Sequence, residues 1–465
     1  MGRQVADAVA RHLASLRDQP AYTTLKAGDA RALVDQEPPR TPTSFDAVLS
    51  RFHERVAPHH AREPHPRFLG YIPSCPTFPA LMGDWLATGY NFFAGVSVVA
   101  AGPNAVEMTV LEWFRRWMGM PDGTLGLLTS GGSAATVTAV VAARHQVVGD
   151  DASALGALTA YCSDQAHSSV AKAAWIAGVS RANVRAVPTD DSYRMDVAAL
   201  RAMVAADRRA GLRPFLVCAT AGATNTGAVD PLHQIADFTS KEKLWLHTDS
   251  AYAGFSVLTD RGRRLLDGLG RADSLTLDPH KWLYVPFECG CLLARDPRAL
   301  ELAFSVHPEY LQDVRARDAE VNFADYGEQL TRYSRAMKVW FSVQYFGTDA
   351  ISAAQDHGMS LAELAEQIVR ETPDMEVLSP AQFGIICFRV RPQGMSEEQL
   401  DALNERVNEK VNRTGFVLMS STRLRGRLSL RLCIPGYRTR EEDIRAVLDL
   451  VLRTARAEMG LTTRS

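Results

Sequence analysis

Several features are scarce in these 465 residues, and each scarcity excludes a class of function. No stretch of 18 or more apolar residues occurs, so nothing reads as a membrane span. An excess of one charge is missing too. Lys and Arg number 51 against 53 Asp and Glu, a formal charge of -2, so no global basic field points to nucleic acid or an anionic membrane. Any anion must be held locally. The seven cysteines are scattered; only Cys289 and Cys291 are close, and neither a CxxC nor a Cys/His pairing spaced for zinc is present. They read as reduced thiols of a cytoplasmic protein, and no metal is expected. Internal repeats and low-complexity tracts are lacking as well.

What is present is globular. Hydrophobic residues make up 46% and charged residues 22%, far from a disordered composition. At about 150 residues per domain the length suggests roughly three units. Val5, Val9, Leu13 and Leu16 at helical spacing make the N-terminus an amphipathic helix rather than a signal peptide, and Ala6 stands where myristoylation wants Ser or Thr. A Pro-rich connector (Glu37 to Pro42), a second amphipathic segment (Phe45 to Val56) and a loop at HPRFLGYIP (His65 to Pro73) follow. Short apolar runs then alternate with helical patterns: Leu125 to Leu128, Leu158 to Cys162, Phe215 to Ala219, Leu244 to His247, Ser274 to Leu277 and Gly290 to Ala294. The alternation predicts an α/β fold, a mainly parallel sheet with helices on both faces. After a helix around Arg335 to Tyr345, strands at Phe383 to Val390 and Leu428 to Ile434 and helices at Ser396 to Asn412 and Glu441 to Ala455 predict a small C-terminal α+β domain.

In open α/β sheets ligands bind beyond the carboxyl ends of the strands, so the polar residues after each apolar run are candidates. Thr129-Ser130-Gly131-Gly132-Ser133-Ala134-Ala135-Thr136 opens an apolar helix; it is either a plain turn or a cradle for phosphate at a helix N-terminus. His167, in Ser163-Asp164-Gln165-Ala166-His167-Ser168-Ser169, is either a helix cap or a flat ring stacked on an aromatic cofactor, with Ser168 near the substrate. Asp249 ends an apolar run; it is either an N-cap or a buried acid that needs a partner such as a protonated heterocyclic nitrogen. Lys281, in Leu277-Asp278-Pro279-His280-Lys281-Trp282, is either an ordinary exposed lysine or an amine made nucleophilic by its apolar setting and able to form a Schiff base. Together the four supply what pyridoxal phosphate requires.

With HPRFLGYIP, TSGGSAAT, YCSDQAHSSVAKAA, ATAGATNTGAVDPL, LHTDSAYAG, LDPHKW and SRAMKVW in order, the chain resembles the group II pyridoxal-phosphate decarboxylases, most closely their aromatic-amino-acid branch. The resemblance runs from about His65 to the C-terminus. It implies a fold-type I architecture with a seven-stranded sheet, divided into an N-terminal helical dimerisation segment (1–84), a large cofactor domain (85–345) and a small C-terminal domain (346–465). It further implies pyridoxal 5'-phosphate as cofactor and a homodimer with active sites at the interface. Lys281 matches the Schiff-base lysine, Asp249 the partner of the pyridinium nitrogen, His167 the stacking histidine, and Gly131, Gly132 and Ser133 the phosphate loop. Thr224 and Ser250 or Ala251 lie where the family lines the ring, and His280 matches the histidine beside the lysine.

The implied reaction is decarboxylation of an L-amino acid through a Lys281 Schiff base and a quinonoid, releasing carbon dioxide and amine. Counting back from SRAMKVW puts Phe323 where the branch carries its proton-donating tyrosine, a change shared with plant aldehyde-forming members. That predicts oxidative deamination to an aldehyde as the alternative, with Tyr326 or Tyr310 as other sources of the proton; an inactive relative serving as a binding subunit is the third reading. The branch places a tryptophan about where Val99 stands, next to Val98, and a ring-contacting tyrosine where Phe78 stands, so a roomier or differently shaped substrate site is expected. Arg67, Arg315 and Arg317 are candidates for an acidic substrate or are solvated loop residues.

Overall fold

A computed structural model describes residues 1–23, 25, 27–34, 36–306 and 321–460. The chain divides into two compact units, Ser74–His357 and a second made of Met1–Pro73 with Gly358–Ser465.

The unit Ser74–His357 is built on seven strands: β1 (Leu125–Thr129), β2 (Leu158–Ser163), β3 (Val184–Val187), β4 (Arg213–Thr220), β5 (Trp245–Asp249), β6 (Ser274–Leu277) and β7 (Gly290–Ala294). Their order is β1-β7-β6-β5-β4-β2-β3. All neighbours run parallel except β7, which is antiparallel to both β1 and β6. The sheet is thus mainly parallel, as expected, with one strand reversed. β2 and β6 are buried at every position, so helices must cover both faces, which is why these strands read as continuous apolar runs rather than alternating ones. Helix Gly132–Val148 packs on the sheet beside helix Ser168–Ile176. Val140, Ala143, Ala173 and Ala174 meet Leu158, Ala160, Phe215 and Leu216 in one cluster, and the alanines permit a close helix approach.

In the other unit, β8 (Met375–Gln382), β9 (Ile385–Val390), β10 (Ser420–Leu424) and β11 (Arg427–Cys433) form an antiparallel sheet in the order β10-β11-β9-β8. Helices Glu397–Arg413 and Glu441–Glu458 lay Leu403, Val407, Val411, Ile444, Val447 and Val451 on Ile386, Phe388, Leu430 and Leu432. The apolar positions recur every three or four residues, as an amphipathic helix on a one-sided sheet requires. Leu69 of the HPRFLGYIP segment joins this core, its N–H donating to the Leu418 carbonyl at 2.8 Å. Buried Asp443 receives Arg17 at 2.8 Å and Arg67 at 3.2 Å, tying the N-terminal segment down. The helix expected around Arg335 to Tyr345 is the first part of Ala336–Glu371, which is interrupted at Gly347, where φ of 71° suits only glycine. Among the described residues, no helix is long and apolar enough to cross a membrane, and no group of three His, Cys, Asp or Glu is placed to hold a metal.

Candidate active site

A cavity of about 340 Å³ opens at the carboxyl ends of the parallel strands, and most of the polar residues singled out from the sequence line it. Gly131, Gly132, Ser133, His167, Thr224, Asp249, Ala251, His280 and Lys281 are all there.

Its base is the start of helix Gly132–Val148, which has no acidic residue in its first turn, so free N–H groups and the positive end of the helix face the cavity. A Cβ on Gly132 would lie 3.0 Å from Asp278 Oδ2 and 3.2 Å from Thr276 Cγ2, so glycine is what lets the turn press onto the end of β6. Asp249 ends β5, is buried, and accepts a hydrogen bond from the Ala251 N–H at 3.1 Å. Burial pushes its carboxyl above the ordinary range, while the Lys281 ammonium pulls it back. Lys281 sits in the short helix Pro279–Trp282 that follows β6, with Nζ 3.0 Å from Asp278 Oδ2.

His167 caps helix Ser168–Ile176, one of its two sequence readings, and it also lines the cavity. Its Nδ1 accepts from the Ser169 N–H at 3.2 Å and the Ser169 hydroxyl at 2.8 Å, which leaves Nε2 to carry the proton in the neutral ring. His280 donates from Nδ1 to the Cys289 carbonyl at 2.7 Å, and burial lowers its pKa. Beneath the cavity a chain of hydrogen bonds links Trp245 Nε1, Ser274 Oγ, His247 Nδ1, His247 Nε2, Thr276 Oγ1, Thr136 Oγ1 and the Gly132 carbonyl at 2.8, 2.8, 3.1, 3.3 and 2.7 Å. Indole can only donate and carbonyl only accept, so one proton per link puts the His247 proton on Nε2.

These parts fit pyridoxal 5'-phosphate: a helix N-terminus for its phosphate, an amine for its aldehyde carbon and a buried carboxylate for its ring nitrogen. Thr220 Oγ1 and Asp278 Oδ1 are buried without a hydrogen-bond partner, although both residues border the cavity, which suits a polar ligand. A family model described as "Pyridoxal-dependent decarboxylase conserved domain" matches residues 27–391. The chain belongs to the pyridoxal-dependent decarboxylases. It is 35% identical over 450 residues to an aromatic-L-amino-acid decarboxylase of Bacillus atrophaeus, covering 96% of this chain and 93% of that one. It is 29% identical over 464 residues to a phenylacetaldehyde synthase of Arabidopsis thaliana, covering 98% and 95%. The crystal structure of Oryza sativa TDC with PLP and tryptamine matches with a TM-score of 0.94 at 29% identity, over 98% of this chain and 97% of that one. Fold-type I architecture and pyridoxal phosphate as cofactor therefore hold for this decarboxylase.

Other expected residues lie elsewhere. Ser168 is exposed, and it is its neighbour Ser169 that reaches the decarboxylase cavity. Phe78, Val98 and Val99 are surface residues of the single chain, outside the cavity lining. Phe323 is fully buried, with the Arg332 guanidinium 4.8 Å from its ring centroid, and the segment is pinned by the Ala324 N–H on the Gly95 carbonyl at 3.0 Å. Tyr326 is half-buried, and burial followed by Glu301 raises its phenol pKa; it too lies outside the cavity lining. Arg67 is committed to Asp443 and the Phe416 carbonyl. Tyr310, Arg315 and Arg317 lie outside the described residues. Strand-end patterning does not single out Ser169, Tyr252 or Glu288, which are on the cavity wall with Asp278 and Thr220. Thr220 directly follows the run Phe215 to Ala219, so it was legible, though not singled out. Asp278 had a signal, since it ends a strand run just as Asp249 does.

Proposed function

We propose that this enzyme decarboxylates an L-amino acid of the aromatic class and releases carbon dioxide and the amine. The observation that carries the reading is the convergence of Lys281, buried Asp249, His167 and the N-terminus of helix Gly132–Val148 on one cavity. When bound, pyridoxal phosphate supplies an electron sink for the bond broken at Cα. The chain's part is positioning and charge. The helix N-terminus holds the phosphate, Asp249 stabilises a proton on the ring nitrogen, and the His167 ring, fixed by Ser169, offers a flat face to the heterocycle. Lys281 Nζ, held by Asp278, is the amine that anchors the cofactor and yields to the substrate amine.

The aldehyde-forming alternative rested on Phe323 as the replaced proton donor. Its ring is packed under Arg332 rather than at the cavity, which favours the amine product. With Tyr326 also off the cavity lining, Tyr310 is left, of the two candidate tyrosines, as the group that returns a proton to Cα. We further propose a homodimer in which Phe78, Val98 and Val99 of one copy border the cavity of the other. Support comes from the apolar side chains this unit leaves exposed, Trp85, Leu86, Tyr90, Val98 and Val99. The test is to incubate the purified holoenzyme with a panel of L-amino acids while measuring amine, aldehyde and oxygen uptake. Wild type is expected to form amine from an aromatic substrate without consuming oxygen. Tyr310→Phe is expected to lose most amine formation, with product diverted to aldehyde. Aldehyde from the wild type, or an unchanged product from Tyr310→Phe, would overturn the corresponding half of the proposal.

A further inference from the structure

One buried cation in the unit Ser74–His357 has no place in the chemistry above. Lys338, in the first turns of helix Ala336–Glu371, is 1% exposed, yet its ammonium is far from idle. Nζ lies 2.6 Å from Asp84 Oδ1 and 3.5, 3.4 and 3.2 Å from the carbonyl oxygens of Pro286, Phe287 and Glu288. Three consecutive carbonyls turned to one point need a compact positive charge, since their dipoles repel one another otherwise. One turn earlier Arg335, also buried, grips the Glu288 carboxylate at 2.8 Å. The two cations therefore fasten the 286–288 segment to the helix by backbone and side chain together. That segment is part of the cavity. Glu288 borders it, the Phe287 ring stands 5.0 Å from that of His280, and the Cys289 carbonyl fixes His280 Nδ1. The charged groups facing His280 are Asp278, which favours its protonation, and Lys281 and Lys338, which oppose it.

We propose that Lys338 is a positioning residue for the active site: it gathers the 286–288 carbonyls and thereby sets the His280 ring and the Glu288 wall against the cofactor cavity. This rests on reading that cavity as the cofactor site. The placement of His280 can be tested without substrate, so failure of the substrate reading would not be mistaken for failure here. The experiment compares wild type with Lys338→Met and Lys338→Arg as holoenzymes. Three quantities are measured: the His280 ring titration by NMR with labelled histidine, amide hydrogen exchange at Glu288 and Cys289, and kcat and KM separately.

In Lys338→Met, His280 is expected to titrate at higher pH than in wild type, the two amides to exchange faster, and kcat to fall by about tenfold or more with a smaller change in KM. Lys338→Arg keeps the charge and the Asp84 pair, but a planar fork cannot converge on three carbonyls as a point charge does. It is expected to fold, to leave the His280 titration near wild type, and still to show faster exchange and reduced kcat. A folded Lys338→Met with wild-type titration and kcat overturns the proposal. So does Lys338→Arg with wild-type exchange and kcat, which keeps the test decisive if the methionine variant does not fold.

Discussion

At the scale of single residues, the cavity depends on groups that never touch it. His247 is fully buried between Ser274 and Thr276 and passes its hydrogen bonds through Thr136 to the Gly132 carbonyl at the mouth of the anion cup. Burial lowers its pKa to about 4 from the ordinary 6.5. A histidine whose folded pKa is depressed takes up its proton first in the unfolded chain, so stability is complete above pH 6.5 and drains away as pH falls toward 4. The loss amounts to about 3 kcal/mol. His65, lowered to about 4 chiefly by burial, acts with the same sign. Both histidines therefore pull the melting temperature down between pH 6.5 and 4, against Asp230, whose carboxyl burial raises to about 7 and which pulls it up over the same range. His247→Gln should melt lower than wild type at pH 7, by the equivalent of about 1–3 kcal/mol, yet show a shallower slope across that range. A slope equal to that of wild type would mean the histidine is not the titrating group. The sequence exposed Asp249, Lys281, His167 and Gly132 because each follows an apolar strand run. It did not expose Glu288, which precedes β7: the reversed strand begins at the edge where the others end.

Among the elements, legibility followed burial. The runs Ser274 to Leu277 and Gly290 to Ala294 coincide with β6 and β7, central strands covered on both faces. The strands that the pattern did not reveal are β3, β8 and β10, and all three are sheet edges. β3 is four residues with Arg185 inside it, β8 contains Pro380, and β10 is mostly polar; edge strands bury too little for an apolar run and tolerate residues that central ones do not. The turn from β1 into helix Gly132–Val148 is the element on which the anion cup depends. Gly132→Ala should force Asp278 and Thr276 to yield, destabilising the apoenzyme by about 1–3 kcal/mol and weakening cofactor binding. Thermal denaturation and a spectroscopic titration with pyridoxal phosphate read the two effects. An alanine variant with wild-type cofactor affinity would show that this close contact does not shape the cup.

For the molecule as a whole, reading along the chain does not disclose that Met1–Pro73 and Gly358–Ser465 make one unit, because the residues that join them are remote in sequence. Arg17 and Arg67 on Asp443 are an example: three charges whose relation no periodicity encodes. The proposed homodimer belongs to this scale. If Val98 and Val99 serve the second copy's cavity, Lys281→Ala and Val99→Arg chains are each impaired alone. Mixed dimers, co-expressed with different tags and purified through both, should then recover up to about half the wild-type rate, since one of two sites is intact. Tagged mixed dimers without recovery would count against shared sites.

The reversal of β7 has a consequence for how the enzyme is assembled. Asp278, His280, Lys281 and Glu288 all lie in the short stretch that joins β6 to β7, so the lysine side of the cavity forms from residues close together in sequence. The phosphate cup is different: it meets that stretch only when β1 pairs with β7, Thr129 against Gly290, the most distant pairing in the sheet. Closing so long a loop is entropically costly, and topologies that need such closures fold slowly. A ligand that spans both halves binds only the chain that has made the closure, and so it favours that state by mass action. The vitamin-derived group thus acts on folding as well as on chemistry, drawing the population toward chains whose sheet is complete.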